Sequence, residues 1–306
     1  MRMGRSMKLA AVIVTYNRIT LLEEVLDAFD HQTRIPDYVI IVDNASTDGT
    51  HDLLQRWKLQ DIGNEKIVIT SDKNLGGSGG FYIGTKRAIE TDADWVWVSD
   101  DDAIPEKDVF EKAERHIAEL SDTENVSAVC TAVYTDGKII ESNRSRRLKT
   151  FFDIKITHID TAEYTKPSFE CNEFSYVGVL MNKKKLEEVG LIHAEYFIWR
   201  DDVEHSWRLS EVGKIICYPD MIVDHKANVV DYSGVSWKTF YAYRNDMLML
   251  LEHESKRYFF AKALKAHIHS IKTKDQKQKR IYLDAIKYAK KNKTGLNPDY
   301  APGMKF

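Results

Sequence analysis

The sequence predicts an α/β protein: a mostly parallel central sheet flanked by helices, followed by a helical C-terminal extension. Three observations predict it. Strand-like and helix-like segments alternate through roughly the first 100 residues. The first two strand-like runs are apolar without a break, as strands buried on both faces are. All four strand-like runs of this stretch end in polar residues, and in open parallel sheets those ends are where ligands bind.

The elements follow in order. Lys8 to Thr15 reads as the first strand. Thr20 is placed to cap a helix whose Leu21, Leu22, Val25, Leu26 and Phe29 have helical spacing, and Pro36 closes it. Tyr38 to Val42 is a second strand, and Asp43 to Gly49 is dense in turn residues. A helix with Leu53, Leu54 and Trp57 leads to a third strand, Lys66 to Thr70. Asn74 to Gly80 reads as a glycine-rich loop before a helix from about Phe81 to Glu90. Trp95 to Ser99 is a fourth strand, ending in Asp100-Asp101-Asp102. Beyond Pro105 the pattern loosens. Asp108 to Leu120 is helical and Val126 to Tyr134 extended. Residues 135–170 read as a polar, basic mobile loop. Glu173 to Met181 is a strand and Lys183 to Val189 a helix. Tyr196 to Asp202 runs into a helix through Arg208. Lys214 to Tyr218 and Met221 to His225 are two short strands. From Trp237 to about Asn292 the chain reads as helical.

Composition narrows the classes. With 306 residues, 43% hydrophobic and 30% charged, the chain can build a core. Its longest apolar runs are strand-length, well short of the roughly 20 residues of a membrane span. The apolar stretch after the basic start is too short for a signal peptide. Cys130, Cys171 and Cys217 match neither a disulfide framework nor zinc spacing, so reduced thiols and a cytoplasmic protein are expected. Net charge is −3, but residues 253–306 hold 14 Lys and Arg against four Asp and Glu. A basic tail on an acidic body points to an anionic surface, nucleic acid or the inner face of a membrane.

Five constellations can carry chemistry. Carboxylates of the Asp100-Asp101-Asp102 triplet suit hard divalent cations; a solvated acidic turn is the competing reading. Asp43, at the end of its strand, can accept from a ribose hydroxyl or a base imide, or merely form a turn. Asn74-Leu75-Gly76-Gly77 opens a helix whose N–H groups can face an anion; a flexible turn competes. Trp199-Arg200-Asp201-Asp202-Val203-Glu204 sets carboxylates beside an aromatic ring, where desolvation favours a general base; acidic residues at a helix N-terminus are the plainer account. His225, after Asp224, acts as a ligand only if it meets Asp102 in space.

Taken together and in this order, Val14-Thr15-Tyr16-Asn17-Arg18, Val42 to Thr50, Asn74 to Gly77, the Asp triplet and the Trp199 to Glu204 segment resemble family 2 inverting glycosyltransferases of the GT-A fold. The resemblance spans about residues 9–230. It is nearest to galactofuranosyltransferases, with rhamnosyltransferases second, although relatives often carry Trp directly before the acidic pair where Arg200 intervenes here. It implies transfer of a sugar, galactofuranose, from a UDP-linked donor to a hydroxyl of a glycan or lipid-linked saccharide acceptor. A dTDP-linked rhamnose donor is the alternative; a non-catalytic nucleotide or sugar binder is one of another class. A nucleotidyltransferase would need a basic, phosphate-directed motif near the first strand, which is missing.

The resemblance assigns Asp202 as base, with Asp201 beside it. Thr15, Tyr16, Asn17, Asp43, Asp72, Asn74, Gly76, Gly77, Asp100 and Asp101 would surround the nucleotide sugar. Asp100, Asp102 and His225 would hold Mn²⁺ or Mg²⁺, and Trp199 and Glu204 would meet the acceptor. Residues 1–235 would form the catalytic domain, about 1–105 on the donor side and 106–235 on the acceptor side, with 236–306 a basic helical region. No nucleic-acid partner is then expected, while peripheral contact with an anionic membrane and homo-oligomerisation stay open.

Overall fold

The structure, a computed structural model, describes residues 6–151, 153–226 and 236–304. Its first half is the expected alternation: β1 (Leu9–Thr15), α1 (Ile19–Asp30), β2 (Tyr38–Asp43), α2 (Thr50–Lys58), β3 (Glu65–Thr70), α3 (Gly76–Ile89) and β4 (Trp95–Asp100). After these come β5 (Ala103–Pro105), α4 (Val109–Glu119), β6 (Val126–Thr135), β7 (Lys138–Ile139), β8 (Arg144–Lys149), β9 (Ile154–His158), β10 (Phe169–Cys171), β11 (Glu173–Phe174), β12 (Val179–Asn182), α5 (Lys183–Val189), α6 (Asp201–Val212) and β13 (Lys214–His225). Three helices end the chain: α7 (Trp237–His253), α8 (Lys256–Lys272) and α9 (Gln276–Lys290). The boundary expected at residue 235 lies outside the described residues.

The main sheet runs β10-β13-β6-β12-β4-β1-β2-β3, with β5 on β13 and β7 on β6. β1, β2, β3 and β4 are mutually parallel, and β12 inserts antiparallel between β4 and β6. Every residue of β1 is buried. Leu9, Ala11 and Ile13 face α1, α2 and α4, while Ala10, Val12 and Val14 face the other layer, which holds α3, α5 and α6. A strand covered on both faces has no place for alternation, which is why its sequence is apolar throughout.

The structure differs from the sequence reading in four places. Thr20 is not the cap of α1; the Asp48 carboxylate accepts from Ile19 N at 2.9 Å and does that work from the β2–α2 turn. The glycine-rich segment is helix rather than loop from Gly76 on. Its glycines are demanded by packing: a Cβ on Gly80 would stand 2.4 Å from Val14 Cγ1, and one on Gly84 2.3 Å from Val12 Cγ1. Glycine's poor helix propensity is overridden by the need to lie against β1. Lys214 to His225 is one strand with a register shift against β6 between Tyr218 and Ile222.

Residues 135–170 are the fourth difference. They hold the β8–β9 hairpin, which joins β11 in a second, three-stranded sheet. Arg144, fully buried, pins its base by donating to the carbonyls of Thr131 (3.2 Å), Asn143 (2.8 Å) and Val177 (2.7 Å). Further along, Arg147 lies over the Trp207 ring at 4.2 Å, and Tyr258 Oη donates to Thr150 O at 2.6 Å.

The C-terminal helices are not a detached tail. Phe240, Tyr241, Met247, Phe259, Ile281 and Tyr300 form a core of their own, which also buries Tyr196 and Phe197 just ahead of α6. Cys130, Cys171 and Cys217 are buried free thiols. No described helix is long and apolar enough to cross a membrane.

Candidate active site

Parallel pairing brings the strand ends level. Thr15 is the register partner of Asp43, Val14 of Asp100, and Asp43 of Thr70. The chain turns after β4 into β5, and antiparallel pairing sets His225 against Ala103. This pairing carries His225 across 123 residues of sequence to Asp102: its Nε2 lies 3.0 Å from Asp102 Oδ1. One ligand atom from each of Asp100, Asp102 and His225 falls within 4.8 Å of the others. Two carboxylates and one imidazole at that spacing fit a divalent cation of the Mn²⁺ or Mg²⁺ kind.

The electrostatics of the triplet are uneven. Burial and the charge of Asp102 push Asp100 up to about 7. Burial also raises Asp101. Burial acts on Asp102 too, but the hydrogen bond and charge of His225, with Arg18, outweigh it and hold its carboxyl below the ordinary value. His225 is raised in turn, Asp102 prevailing over burial.

Arg18 was given no role by the sequence reading, although it stands in the first motif. Its Nη1 donates to Asp101 Oδ1 (3.0 Å) and Asp102 Oδ2 (2.7 Å). Asn44 was also missed. It donates to Gly76 O (2.9 Å) and accepts from Leu75 N (2.9 Å), locking the α3 N-terminus to the end of β2. A cleft of about 220 Å³ lies over the strand ends, lined by Thr15, Tyr16, Asn44, Asn74, Gly76, Gly77, Asp100 and Asp101. Phe197, Ile198, Trp237, Lys238 and Pro302 close its other side. The last three come from a region read only as a basic extension; their distance in sequence hid them. Thr15 lines the cleft, and Asp43, its register partner at the end of β2, keeps a buried Oδ2 without a partner, as a group that meets a ligand's hydroxyl or N–H does.

The other expected residues separate into three groups. Asn17 is tied to the next turn, accepting from Thr47 N at 2.7 Å. Asp72 is exposed beyond the end of β3. Asn74 lines the cleft but spends its Oδ1 on Gly76 N (2.8 Å).

Asp201 and Asp202 open α6 after a strained turn in which Phe197, Trp199 and Arg200 all have positive φ, near 70°. Such backbone persists only when its surroundings hold it. Here Asn245 of α7 donates to the carbonyls of Tyr196 (3.1 Å), Ile198 (3.1 Å) and Trp199 (2.7 Å), and Arg244 donates to Tyr196 O (2.9 Å). Gly76 completes the fit: a Cβ there would stand 1.9 Å from Phe197 O. The acidic pair is thereby held near the strand ends, close enough for the charge of Asp100 to act on Asp201. Burial, then Asp202, push Asp201 up to about 8. Burial raises Asp202 as well, and Asp202 keeps partial exposure while Asp201 is covered. A partly exposed carboxylate with a raised pKa is a competent proton acceptor. Trp199 is half-buried beside the pair.

Glu204, expected at the acceptor, is placed otherwise. Its side chain is fully covered, with Arg208 bidentate on it (2.7 Å on each oxygen) and His253 Nε2 2.7 Å from Oε1. It points away from solvent because α6 turns about 100° per residue, which separates position 204 from position 202.

The arrangement is that of a GT-A fold: parallel strands whose polar ends meet at one cleft, an acidic triplet beside an imidazole, and a second acidic pair near them. Residues 10–190 match the family described as Glycosyl transferase family 2, and the chain belongs to it. Among characterised proteins it is similar to Galactofuranosyltransferase GlfT1 of Mycobacterium tuberculosis, 43% identical over 92 residues, 30% of this chain and 29% of that one. It is also similar to the O-antigen chain rhamnosyltransferase RfbN of Salmonella typhimurium, 36% identical over 98 residues, 32% and 29% of the two chains. The matches thus span about three-tenths of these relatives. In fold the chain resembles GalNAc-T7 solved with UDP, GalNAc and Mn²⁺ (TM-score 0.66, 15% identity, 94% of this chain and 56% of that one). A second structural neighbour is the mannosyltransferase PcManGT from Pyrobaculum calidifontis, solved with GDP-Man and Mn²⁺ (0.57, 17%, 96% and 78%).

Proposed function

We propose that the chain is a metal-dependent inverting glycosyltransferase that moves galactofuranose from a UDP-linked donor to a hydroxyl of a cell-surface glycan or lipid-linked acceptor. The observation that carries it is the meeting of Asp100, Asp102 and His225 beside the cleft that Asp100 lines, with Asp201 near enough to feel the charge of Asp100. Asp100, Asp102 and His225 would hold Mn²⁺ or Mg²⁺. A divalent cation bound there supplies the positive charge that a departing diphosphate needs. Asp43 accepts from the nucleoside and the Thr15 hydroxyl donates to it, with Tyr16 at the rim. Gly76 and Gly77 let the donor approach the α3 backbone. Asp202 takes the proton of the acceptor hydroxyl as that oxygen attacks from the face opposite the diphosphate, and Asp201 orients the acceptor. One base, with no nucleophile on the donor side, is what inversion requires. The similarity to GlfT1 supports the galactofuranose donor, and that to RfbN supports dTDP-rhamnose as the second reading.

A panel of nucleotide sugars, assayed for nucleoside diphosphate release with and without a chelator, tests this. UDP-galactofuranose with Mn²⁺ is the expected substrate. Turnover of dTDP-rhamnose alone would move the donor assignment, and turnover of no donor would leave a binding protein. Asp202→Asn should cut kcat by about 10²–10⁴ with donor affinity kept.

The acceptor side of the proposal includes an anionic lipid surface. Phe260, Leu264 and Ile271 of α8 and Leu283 of α9 are exposed, and Lys265, Lys272, Lys287, Lys290 and Lys291 stand on the same two helices and the turn after them. Apolar side chains rimmed by lysines suit the interface of an anionic bilayer. Vesicles containing phosphatidylglycerol should bind the full chain in a salt-sensitive way, and Phe260→Ser with Leu264→Ser should abolish that binding. Equal binding to neutral vesicles would overturn it.

A further inference from the structure

A second group of metal-competent side chains lies on the other side of α6. His193, Glu252 and His253 each offer a ligand atom within 4.8 Å of the others. The buried carboxylate of Glu204 stands behind them: its Oε1 is 2.7 Å from His253 Nε2 and 3.5 Å from His193 Nε2. Glu252 Oε1 is 3.3 Å from His193 Nε2. Ligands on a tetrahedral zinc ion, at bonds of 2.0–2.2 Å, stand about 3.3 Å from one another; the distances from His193 Nε2 to Glu204 and Glu252 are on that scale, and Glu252 Oε2 is 4.0 Å from His253 Nε2.

We propose that His193, His253, Glu252 and Glu204 form a second cation site, selective for Zn²⁺, that rivets the end of α7 to α6. The imidazoles are prepared for it. His193 Nδ1 lies 2.9 Å from Glu195 Oε1, which holds a proton there while an arriving cation displaces the proton that Nε2 shares with Glu204. Two imidazoles select Zn²⁺ over Mg²⁺ or Ca²⁺, which want oxygen ligands throughout. Entry is open, because the Glu252 side chain is 46% exposed.

The site joins segments far apart in sequence. His193 precedes the strained turn, Glu204 lies on α6, and Glu252 and His253 end α7, the helix whose Asn245 clamps that turn. A cation there would fix the platform on which Asp201 and Asp202 sit, without touching the reaction.

The test uses the full chain, stripped of metal with a chelator and titrated with Zn²⁺ alone against a chromophoric competitor, with thermal melting read in parallel. Asp102→Asn removes the strand-end site, so the Zn²⁺ it still binds belongs to the second. That variant should take one equivalent and melt at higher temperature with zinc. Adding Glu252→Gln, at an exposed position that the fold tolerates, should weaken zinc by at least about tenfold. Adding His253→Gln should abolish both the binding and the thermal shift. Failure of the Asp102→Asn protein to bind Zn²⁺ would overturn the proposal. So would unchanged affinity after Glu252→Gln, which decides the matter even if the His253 variant folds poorly.

Discussion

The molecule carries two clusters of the same chemistry, carboxylates facing imidazoles beside one arginine, and they are built for opposite ends. At the strand ends Asp101 and Asp102 meet Arg18, whose side chain is 46% exposed. On α6, Glu204 meets Arg208, whose remaining donors are spent on the carbonyls of Val189 (2.6 Å) and Leu191 (3.0 Å). The first arginine can leave when another cation or an anionic ligand arrives. The second is anchored to a loop, and removing it would strand a buried charge. The difference lies in what holds the cation, not in the acids.

Four experiments break or sharpen this contrast. The largest effect belongs to Asp102→Asn. A ligand to a Lewis-acidic cation supports several kcal/mol of charge stabilisation, so kcat/KM should fall about 10³-fold or more. Thermal stability should hardly move, since Arg18 regains its water. A large drop in melting temperature with activity preserved would invert the roles of the two clusters.

Arg208→Met should do the reverse. Breaking a buried pair leaves the partner uncompensated at about 3–5 kcal/mol. For a chain of this size that lowers the melting temperature by on the order of 10 °C. Donor affinity per folded molecule, measured by calorimetry with UDP and Mn²⁺, should stay near wild type.

The third outcome is a pH dependence. Burial raises Glu204, but His193, His253 and Arg208 prevail and hold it far below the ordinary carboxyl range. A depressed folded pKa gives stability that is present above the unfolded value, about 4.3, and is lost as pH falls towards the folded one. Glu204→Gln should therefore flatten the acid limb of a urea-melt series below about pH 5. An acid limb as steep as wild type would assign it to other carboxylates.

The smallest effect is expected of Arg18→Gln. An ion pair whose arginine side is open to solvent is worth about 1 kcal/mol, so the donor KM should change by no more than about fivefold. Loss of folding in this variant would make Arg18 structural, and the contrast with Arg208 would collapse.

Much of this site was legible in the chain because its residues lie in short runs whose surroundings are local. The unbroken apolar run of β1 and the Asp43, Asn74 and Asp100 to Asp102 segments announce strand ends without help from distant residues. Three readings went astray where distant contacts decide. Residues 135–170 look like a loop because β8 and β9 are polar and mostly exposed, and their anchor is a buried arginine, a residue type that composition assigns to the surface. The α3 glycines look like a loop because propensity is local, whereas the reason for them is Val12 and Val14 on another element. Glu204 is expected at the acceptor from its place in the Trp199 to Glu204 motif, yet His253 of α7 and Arg208 hold it inside the protein.

The sequence by itself determined the α/β class, the order of the motifs and the residue types that could bind a nucleotide, a cation and a proton. Periodicity and strand-end chemistry are written in neighbouring residues, so those required no coordinates. Tertiary structure alone decided which groups meet. His225 reaches Asp102 through the pairing of β5 with β13, Lys238 and Trp237 close a cleft opened by β1, and Asn245 holds the turn that presents Asp202. Each contact joins segments separated by about 45 to more than 200 residues. Their geometry is set by sheet order and helix packing, and no local pattern encodes it.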